Sequence, residues 1–211
     1  MVQFFIYVGG AFVPTVCSDI LYLTLTLLMK QQFQILNFSI KTLFPIGVAD
    51  EEKVVRRKIK RWVDYHNNVL KFVQLFNDTY RISLFFFFGV IMLSTCIELF
   101  MVTVQPPDAD NFKCYSYIFI LFFMFCAFYC LSAQMVTNEA EKLSYNIWAS
   151  GWNDNPSTTV KAAMNMILMR CRQPVSIRAG IVDANFEICL DTLKTVASYY
   201  TFLRTMNDSS N

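Results

Sequence analysis

The sequence predicts an all-α fold, a polytopic transmembrane helical bundle whose helices extend into the cytoplasm. Three observations lead to this prediction: 55% of the 211 residues are hydrophobic, only 16% are charged, and the apolar residues gather in long runs. Such a composition is unusual for a soluble domain. The formal net charge of +2 is small and mixed, so we expect a lipid membrane around the protein and no nucleic-acid partner.

Three apolar runs each exceed the roughly 20 residues that a helix needs to cross a bilayer. The first contains Asp19 as its one charge, the second contains Glu98, and the third is uncharged. A fourth run is long enough, but its six charged side chains argue against a lipid-facing helix. The four predicted spans of the single domain 1–211 are 2–29, 82–104, 114–136 and 175–206.

The distribution of lysine and arginine predicts the orientation of these spans. The segment 30–81 holds ten of the 18 basic residues, whereas the link 105–113 holds one. By the positive-inside rule the larger segment is cytoplasmic, which places Met1 and the C-terminus outside. The glycosylation pattern at Asn207 agrees with this, although two more, at Asn37 and Asn77, fall in the cytoplasmic segment.

We expect no cleavable signal at the first run, because that run is too long for a signal-peptide core and lacks a basic leader. A chain that starts outside fits the later part of a larger protein, so we expect this to be a partial chain. The alternative is a reversed signal anchor.

Helices are also predicted in the cytoplasm. Apolar residues recur at helical spacing before the second span, without proline or glycine, and this predicts one helix over 51–104, on the order of 80 Å long. They are Val55, Ile59, Trp62, Val63, Leu70, Val73 and Phe76. The predicted cytoplasmic anchor helices are 30–44, 51–81, 139–150 and 157–172.

The helix at 157–172 has one apolar stripe. Pro156 fits its first turn, and Asn155 or Ser157 is a candidate cap. The helix either lies in the headgroup plane or packs against the projecting helix, and we favour packing because it buries both stripes. The stripe comprises Val160, Ala163, Met164, Ile167, Leu168 and Cys171.

The last run carries a polar stripe whose members are three or four residues apart, close to the helical period. Pairing of Asp191 with Lys194 is expected within it. Three structures satisfy such a stripe: a pore lined by one helix from each of several subunits, a helix buried in its own bundle, or a helix outside the membrane. The stripe comprises Asp183, Glu187, Asp191, Lys194, Ser198, Thr201 and Thr205.

The sequence contains no motif that indicates an enzyme. It has one histidine, His66, and lacks a zinc-protease motif, a nucleophile elbow and a glycine-rich phosphate loop. The seven cysteines form no CxxC pair and are read as apolar packing residues. We expect no catalytic residue, metal site or cofactor. His66 is read as a polar surface residue or a packed imidazole, and Asp19 and Glu98 as functional, buried or snorkelling charges.

Three stretches closely resemble the C-terminal half of insect odorant receptors: "DYHNNVLKFVQLFNDTYRISLFFFF" (64–88), "EAEKLSYNIWASGWND" (139–154) and "KAAMNMILMRCRQPVSIRAGIVDANFEICLDTLKTVASYYTFLR" (161–204). The resemblance implies helices four to seven of a seven-helix protein in the plasma membrane of olfactory sensory neurons. It implies a subunit of a ligand-gated, non-selective cation channel that forms a hetero-tetramer with a co-receptor subunit and binds a small volatile hydrophobic ligand.

The same resemblance implies site residues. Its pore helix corresponds to the end of this chain, where Ser198 and Thr201 would line the pore and Phe202, Thr205 and Met206 would form the gate. Phe202 departs from the smaller aliphatic residue expected there. The odorant pocket would include Tyr7, Phe12 and Val13 on the first span and Phe119, Phe122 and Phe123 on the third.

Two other functions remain open at this point. A gustatory receptor shares the architecture, but its expected terminal motif differs from the "ASYYTFLR" found here. A non-conducting membrane interaction protein would bind partners without forming a pore.

Overall fold

The computed structural model describes residues 13–44, 52–104 and 109–210, and these are almost entirely helical. This confirms the predicted all-α class. The helices are α1 (Val13–Lys41), α2 (Glu52–Val104), α3 (Ala109–Met124), a π-helical segment (Phe125–Cys130), α4 (Leu131–Trp148), a 3₁₀ turn (Trp152–Asp154), α5 (Thr158–Cys171) and α6 (Phe186–Ser210). A hairpin of β1 (Arg178–Ala179) and β2 (Val182–Asp183) lies between α5 and α6.

The contacts divide the chain into two compact units. The first comprises Met1–Asn77 with Met135–Ile177, and the second comprises Asp78–Gln134 with Arg178–Asn211. Helix α2 continues without interruption from the first into the second, which confirms the predicted continuous helix.

The first unit is a bundle whose buried residues alternate at spacings of three and four. A mean spacing of 3.5 residues is the signature of coiled-coil packing, in which each side chain inserts between residues of a facing helix. On α1 the buried residues that follow this repeat are Tyr22, Thr26, Met29, Phe33, Leu36 and Ile40. On α2 they are Val55, Ile59, Trp62, His66, Val69, Val73 and Phe76; on α4, Val136, Ala140, Leu143 and Ile147.

This register refines the predicted stripe on α2. Val63 and Leu70 are only half-buried, whereas His66 and Val69 occupy the core. A straight helix drifts by about 20° per heptad relative to a 3.5-residue repeat. The residues that stay in the core are therefore those spaced by three and four in alternation.

Helix α5 packs against α2, as we favoured, with contacts from Thr159 to Glu52 and from Cys171 to His66. Its buried residues Val160, Met164, Ile167 and Cys171 all belong to the predicted stripe. Ser157 caps the helix by accepting a hydrogen bond from the Val160 N–H at 3.4 Å. The placement of Pro156 in the first turn was wrong: the helix starts at Thr158, so Pro156 precedes the cap.

Polar side chains connect α1 to α4 and α2 within the first unit. Asn37 donates from Nδ2 to the Glu139 carbonyl at 2.8 Å, and its Oδ1 accepts from Asn146 Nδ2 at 2.8 Å. Trp62 Nε1 donates to the Leu36 carbonyl at 3.3 Å. Since Asn37 is buried inside this network, its glycosylation pattern is inaccessible in the folded chain.

The second unit is centred on an aromatic and thiol core. Phe125, Cys130, Cys189 and Ile91 form its buried cluster. Phe88 meets Phe125 edge to face, with ring centroids 4.7 Å apart at 90°. Phe125 and Cys130 bound the π-helical segment, whose wider turn changes which side chains of this stretch face inward.

The predicted helical stripe includes Asp183, and this was wrong. Asp183 belongs to β2, where its carboxylate lies 3.7 Å from Arg178 Nε across the hairpin. Pro174 ends helical structure, and Gly180, with φ of +66°, reverses the chain. The stripe on α6 therefore starts at Glu187, four residues later than predicted.

Two stretches of the described helices are long and apolar enough to cross a membrane, Glu52–Met101 and Ser116–Asp154. They cover most of the predicted second span, 82–104, and of the third, 114–136. The membrane positions of all four spans remain predictions.

Candidate pore-lining and ligand-binding residues

Helix α6 has two faces of different character. Its exposed face carries the polar stripe, and its opposite face is buried in the second unit through Cys189, Thr192 and Val196. Among the residues that the structure describes, the helix's own unit leaves this stripe exposed. Its exposed members are Glu187, Asp191, Lys194, Ser198, Thr201 and Thr205.

The hydroxyl groups of this stripe bond back to their own helix. Ser198 Oγ donates to the Lys194 carbonyl at 2.9 Å, Thr201 Oγ1 to the Ser198 carbonyl at 2.8 Å, and Thr205 Oγ1 to the Thr201 carbonyl at 2.7 Å. Each hydroxyl has one donor and two acceptor lone pairs. With the donor occupied by the helix, the oxygen offers only lone pairs outward, an arrangement that suits cations.

Asp191 and Lys194 form the predicted ion pair, with Nζ 2.9 Å from Oδ1. Both side chains are more than half exposed, so the pair adds little to stability. The charge of Lys194 does offset that of Asp191. Glu187 is the other acidic member of the stripe.

Phe202 and Met206 lie one residue after Thr201 and Thr205, and both are exposed on α6. Four residues apart, they are neighbours on the helix surface. The structure thus places apolar side chains beside the hydroxyl stripe at its C-terminal end.

The predicted ligand-binding residues have different environments. Phe119 and Phe123 are exposed and stack on each other, with centroids 6.4 Å apart at 17°. Phe122 turns inward, 6.2 Å from Phe125, and joins the core of the second unit. Val13 is exposed at the start of α1 in the first unit. Tyr7 and Phe12 lie outside the described residues.

The two acidic residues of the predicted spans are both partly shielded from solvent. Asp19 is half-buried on α1. Glu98, on α2, has its Oε2 buried and without a hydrogen-bond partner among the residues that the structure describes.

His66 proves to be a packed imidazole and not a surface residue. It is 5% exposed, stacks on Trp62 with centroids 5.2 Å apart, and places Nε2 3.9 Å from Cys171 Sγ. Burial, with a smaller contribution from the nearby Arg170 charge, lowers the pKa of His66 to about 4. Burial raises the pKa of Cys171 to about 12. The 3.5-residue repeat of α2 is the signal that could have predicted this position.

Comparison with known proteins defines the class. A family model described as "7tm Odorant receptor" matches residues 1–200, and the chain belongs to this odorant receptor family. It is 24% identical over 162 residues to the odorant receptor coreceptor of Ooceraea biroi, covering 72% of this chain and 32% of that protein. It is 22% identical over 154 residues to odorant receptor 85c of Drosophila melanogaster, covering 71% and 38%.

Solved structures show the same fold. The insect olfactory receptor OR5 from Machilis hrabei in complex with eugenol superposes with a TM-score of 0.70 at 18% identity, covering 90% of this chain and 48% of that one. A second structure of this receptor gives a TM-score of 0.63 and covers 88% of this chain and 47% of that one. The chain thus spans about a third of the length of the curated coreceptors and about half of the solved receptor.

Proposed function

We propose that this chain is the later part of an odorant-sensing subunit of a ligand-gated, non-selective cation channel. The subunit resides in the plasma membrane of olfactory sensory neurons with its C-terminus outside. It forms a hetero-tetramer with a co-receptor subunit and responds to a small volatile hydrophobic ligand. Family membership supports the class, and the two-faced character of α6 is the observation that carries the channel proposal.

The buried face of α6 holds the helix to its own unit, and the described residues leave the polar stripe exposed. A polar stripe is costly against lipid. One such helix from each of four subunits, with the stripes turned toward a shared axis, surrounds a water-filled path. Along it, Ser198, Thr201 and Thr205 present hydroxyl oxygens whose donors are already bonded, and these oxygens stabilise passing cations.

The gate in this proposal lies at the C-terminal end of the same helix, around Phe202, Thr205 and Met206, and Phe202 and Met206 are its apolar members. Phe202 and Met206 lie beside the last hydroxyls, and a ring of such side chains closes a pore by excluding water. Opening requires α6 to rotate or move outward so that Thr201 and Thr205 replace them at the axis.

The part of the first unit outside the predicted spans, with the anchor helices 30–44, 139–150 and 157–172, serves as the cytoplasmic anchor where subunits meet. It exposes large apolar side chains, among them Trp148 at 61%, Met166 at 66% and Met169 at 72%. Exposed apolar surface of this kind marks contact sites between proteins. Met166 and Met169 share the exposed face of α5, opposite its packed stripe.

A co-receptor-like role is the second candidate, because the similar relatives include odorant receptor coreceptors as well as odorant receptors. Expression of the full-length receptor with and without a co-receptor separates the two. An odorant-sensing subunit gives odorant-evoked current only with the co-receptor. A co-receptor-like subunit instead supports the current of an unrelated odorant receptor.

Cysteine accessibility along α6 tests the pore in the full-length receptor. Single cysteines replace Ser198, Thr201 or Thr205 on the stripe and Val196 on the buried face as a matched control. A charged, membrane-impermeant thiol reagent is expected to reduce odorant-evoked current at the stripe positions and leave the Val196 variant unaffected. Uniform protection of the stripe would show a buried helix, and modification without any current would favour a non-conducting interaction protein.

A further inference from the structure

The hairpin between α5 and α6 is fixed to one turn of α2. The Gly180 N–H donates to the Arg81 carbonyl at 2.9 Å. The close approach requires glycine, because a Cβ at this position would lie 2.6 Å from the Phe85 ring, and φ is +66°. The hairpin therefore has a defined position along α2, within the second unit.

This turn of α2 is where the helix changes from polar to apolar surface. Tyr80 and Arg81 precede Ile82 and Phe86, which are 62% and 66% exposed. Large exposed apolar residues on a membrane helix face lipid, and tyrosine and arginine mark the boundary with the headgroups. If the predicted span 82–104 crosses the membrane, the hairpin is expected at the level of the bilayer interface.

The hairpin presents side chains that match this location. Ile181, at its tip, is 94% exposed, and the side chain of Arg178 on β1 is 62% exposed. A single exposed isoleucine is unremarkable on a soluble protein. Here it lies at a fixed turn, beside arginines and next to apolar helix surface, which is the composition of a segment that dips into a lipid interface.

We propose that the hairpin 178–183 is a membrane-interface contact. Ile181 inserts at the boundary between headgroups and acyl chains, and Arg178 and Arg81 bind the phosphates of anionic phospholipids in the leaflet that faces the basic segment 30–81. Asp183, paired with Arg178, and Asp78, one turn before Arg81, are the acidic neighbours that limit the positive charge. Helix α6 starts at Phe186, three residues after the hairpin. Lipid contact at the hairpin therefore acts directly on the position of the start of this helix.

This proposal rests on the proposed membrane orientation but not on ion conduction, and its test needs no current. In the full-length receptor, assembled with its co-receptor in nanodiscs, Ile181→Cys carries an environment-sensitive fluorophore. Matched labels at Phe86→Cys and at Asn153→Cys, exposed on the 3₁₀ turn, serve as lipid-facing and water-facing controls. Lipids brominated near the headgroup end of the acyl chain are the quencher.

The expected result is quenching at position 181 comparable to that at position 86, with none at position 153. Equal emission with and without brominated lipid at position 181 would overturn the proposal, whether water, an upstream segment or a neighbouring subunit covers the tip. Failure of the channel proposal would appear separately, as loss of odorant-evoked current in unlabelled receptor.

Two charge variants test the phosphate contact. Arg178→Gln should weaken the hairpin's preference for binding phosphatidylserine over phosphatidylcholine by about fivefold. One basic residue near an anionic surface changes the binding affinity by about that factor. Asp183→Asn breaks the same ion pair but keeps the arginine, so it should strengthen the preference. A similar loss in both variants would show that only the hairpin's shape matters and would overturn the phosphate contact.

Discussion

His66 and Cys171 meet in the core of the first unit, with the imidazole Nε2 3.9 Å from the thiol Sγ. The contact joins α2 to α5, and both residues are buried. Trp62 covers the other side of the imidazole in a stacked arrangement at 22°. Because burial disfavours the charged ring and lowers the pKa of His66 to about 4, the folded state holds His66 neutral near pH 7.

This burial predicts acid sensitivity of the first unit. The pKa of His66 is about 4 in the folded chain against 6.5 for an exposed histidine, so the unfolded state binds the proton more readily. The contribution of neutral His66 to the free energy of unfolding is fully present above about pH 6.5. It is lost as the pH drops toward 4, by on the order of 3 kcal/mol.

Thermal unfolding measures this loss of stability. It is followed by tryptophan fluorescence between pH 7 and about 4.5, in the full-length receptor and in its His66→Gln variant. The variant is expected to lose part of the pH dependence, and the matched exposed change Asn67→Gln none of it. An unchanged pH profile in His66→Gln would contradict the buried neutral imidazole.

The Asn37 network predicts a large effect from a small substitution. Asn37→Ala leaves the Glu139 carbonyl and the Asn146 amide in the core without this partner, at a cost of about 1–3 kcal/mol. The exposed Asn68→Ala is the matched control, expected to change stability by less than about 0.5 kcal/mol. Melting of both variants measures the difference, and a double-mutant cycle with Asn146→Ala should show non-additive costs. Additive costs would mean that the two amides act separately.

Glycine substitutions separate backbone strain from steric clash. Gly151 and Gly180 both have positive φ, but a Cβ at Gly151 meets nothing within 4 Å, whereas at Gly180 it meets Phe85. Gly151→Ala should cost about 1–2 kcal/mol from the backbone alone, and Gly180→Ala clearly more. Combining Gly180→Ala with Phe85→Ala should restore the part of the stability that Gly180→Ala loses through the steric clash. The melting temperatures of the variants measure this. Equal costs for the two single variants would refute the close approach of the hairpin to α2.

Phenylalanine variants distinguish packing from ligand contact in the second unit. Phe125, 1% exposed, meets Phe88 edge to face, so Phe125→Ala should cost about 3–5 kcal/mol and reduce the yield of folded receptor. Phe119→Ala and Phe123→Ala should fold normally. If these two exposed rings line the odorant pocket, their removal changes the odorant response profile at unchanged surface expression. Unaltered responses in both variants would remove them from the pocket.

The helices and many of their buried faces followed from local pattern. Periodicity of apolar residues placed Val160, Met164, Ile167 and Cys171 correctly, because each helix must bury one stripe whatever its partner is. The same reasoning predicted the unbroken α2 and the pairing of Asp191 with Lys194, which depend on neighbours within one or two turns.

Contacts between distant residues determined the rest. Asp183 fits a helical stripe by spacing, but the docking of Gly180 against Phe85 and Arg81 holds this part of the chain in a hairpin. The sequence left His66 open between a polar surface residue and a packed imidazole, and the heptad register of α2 decides this by burying it beside Cys171. Periodicity reports which face of a helix is apolar; it cannot report where a strand, a turn or a polar side chain finds a partner a hundred residues away.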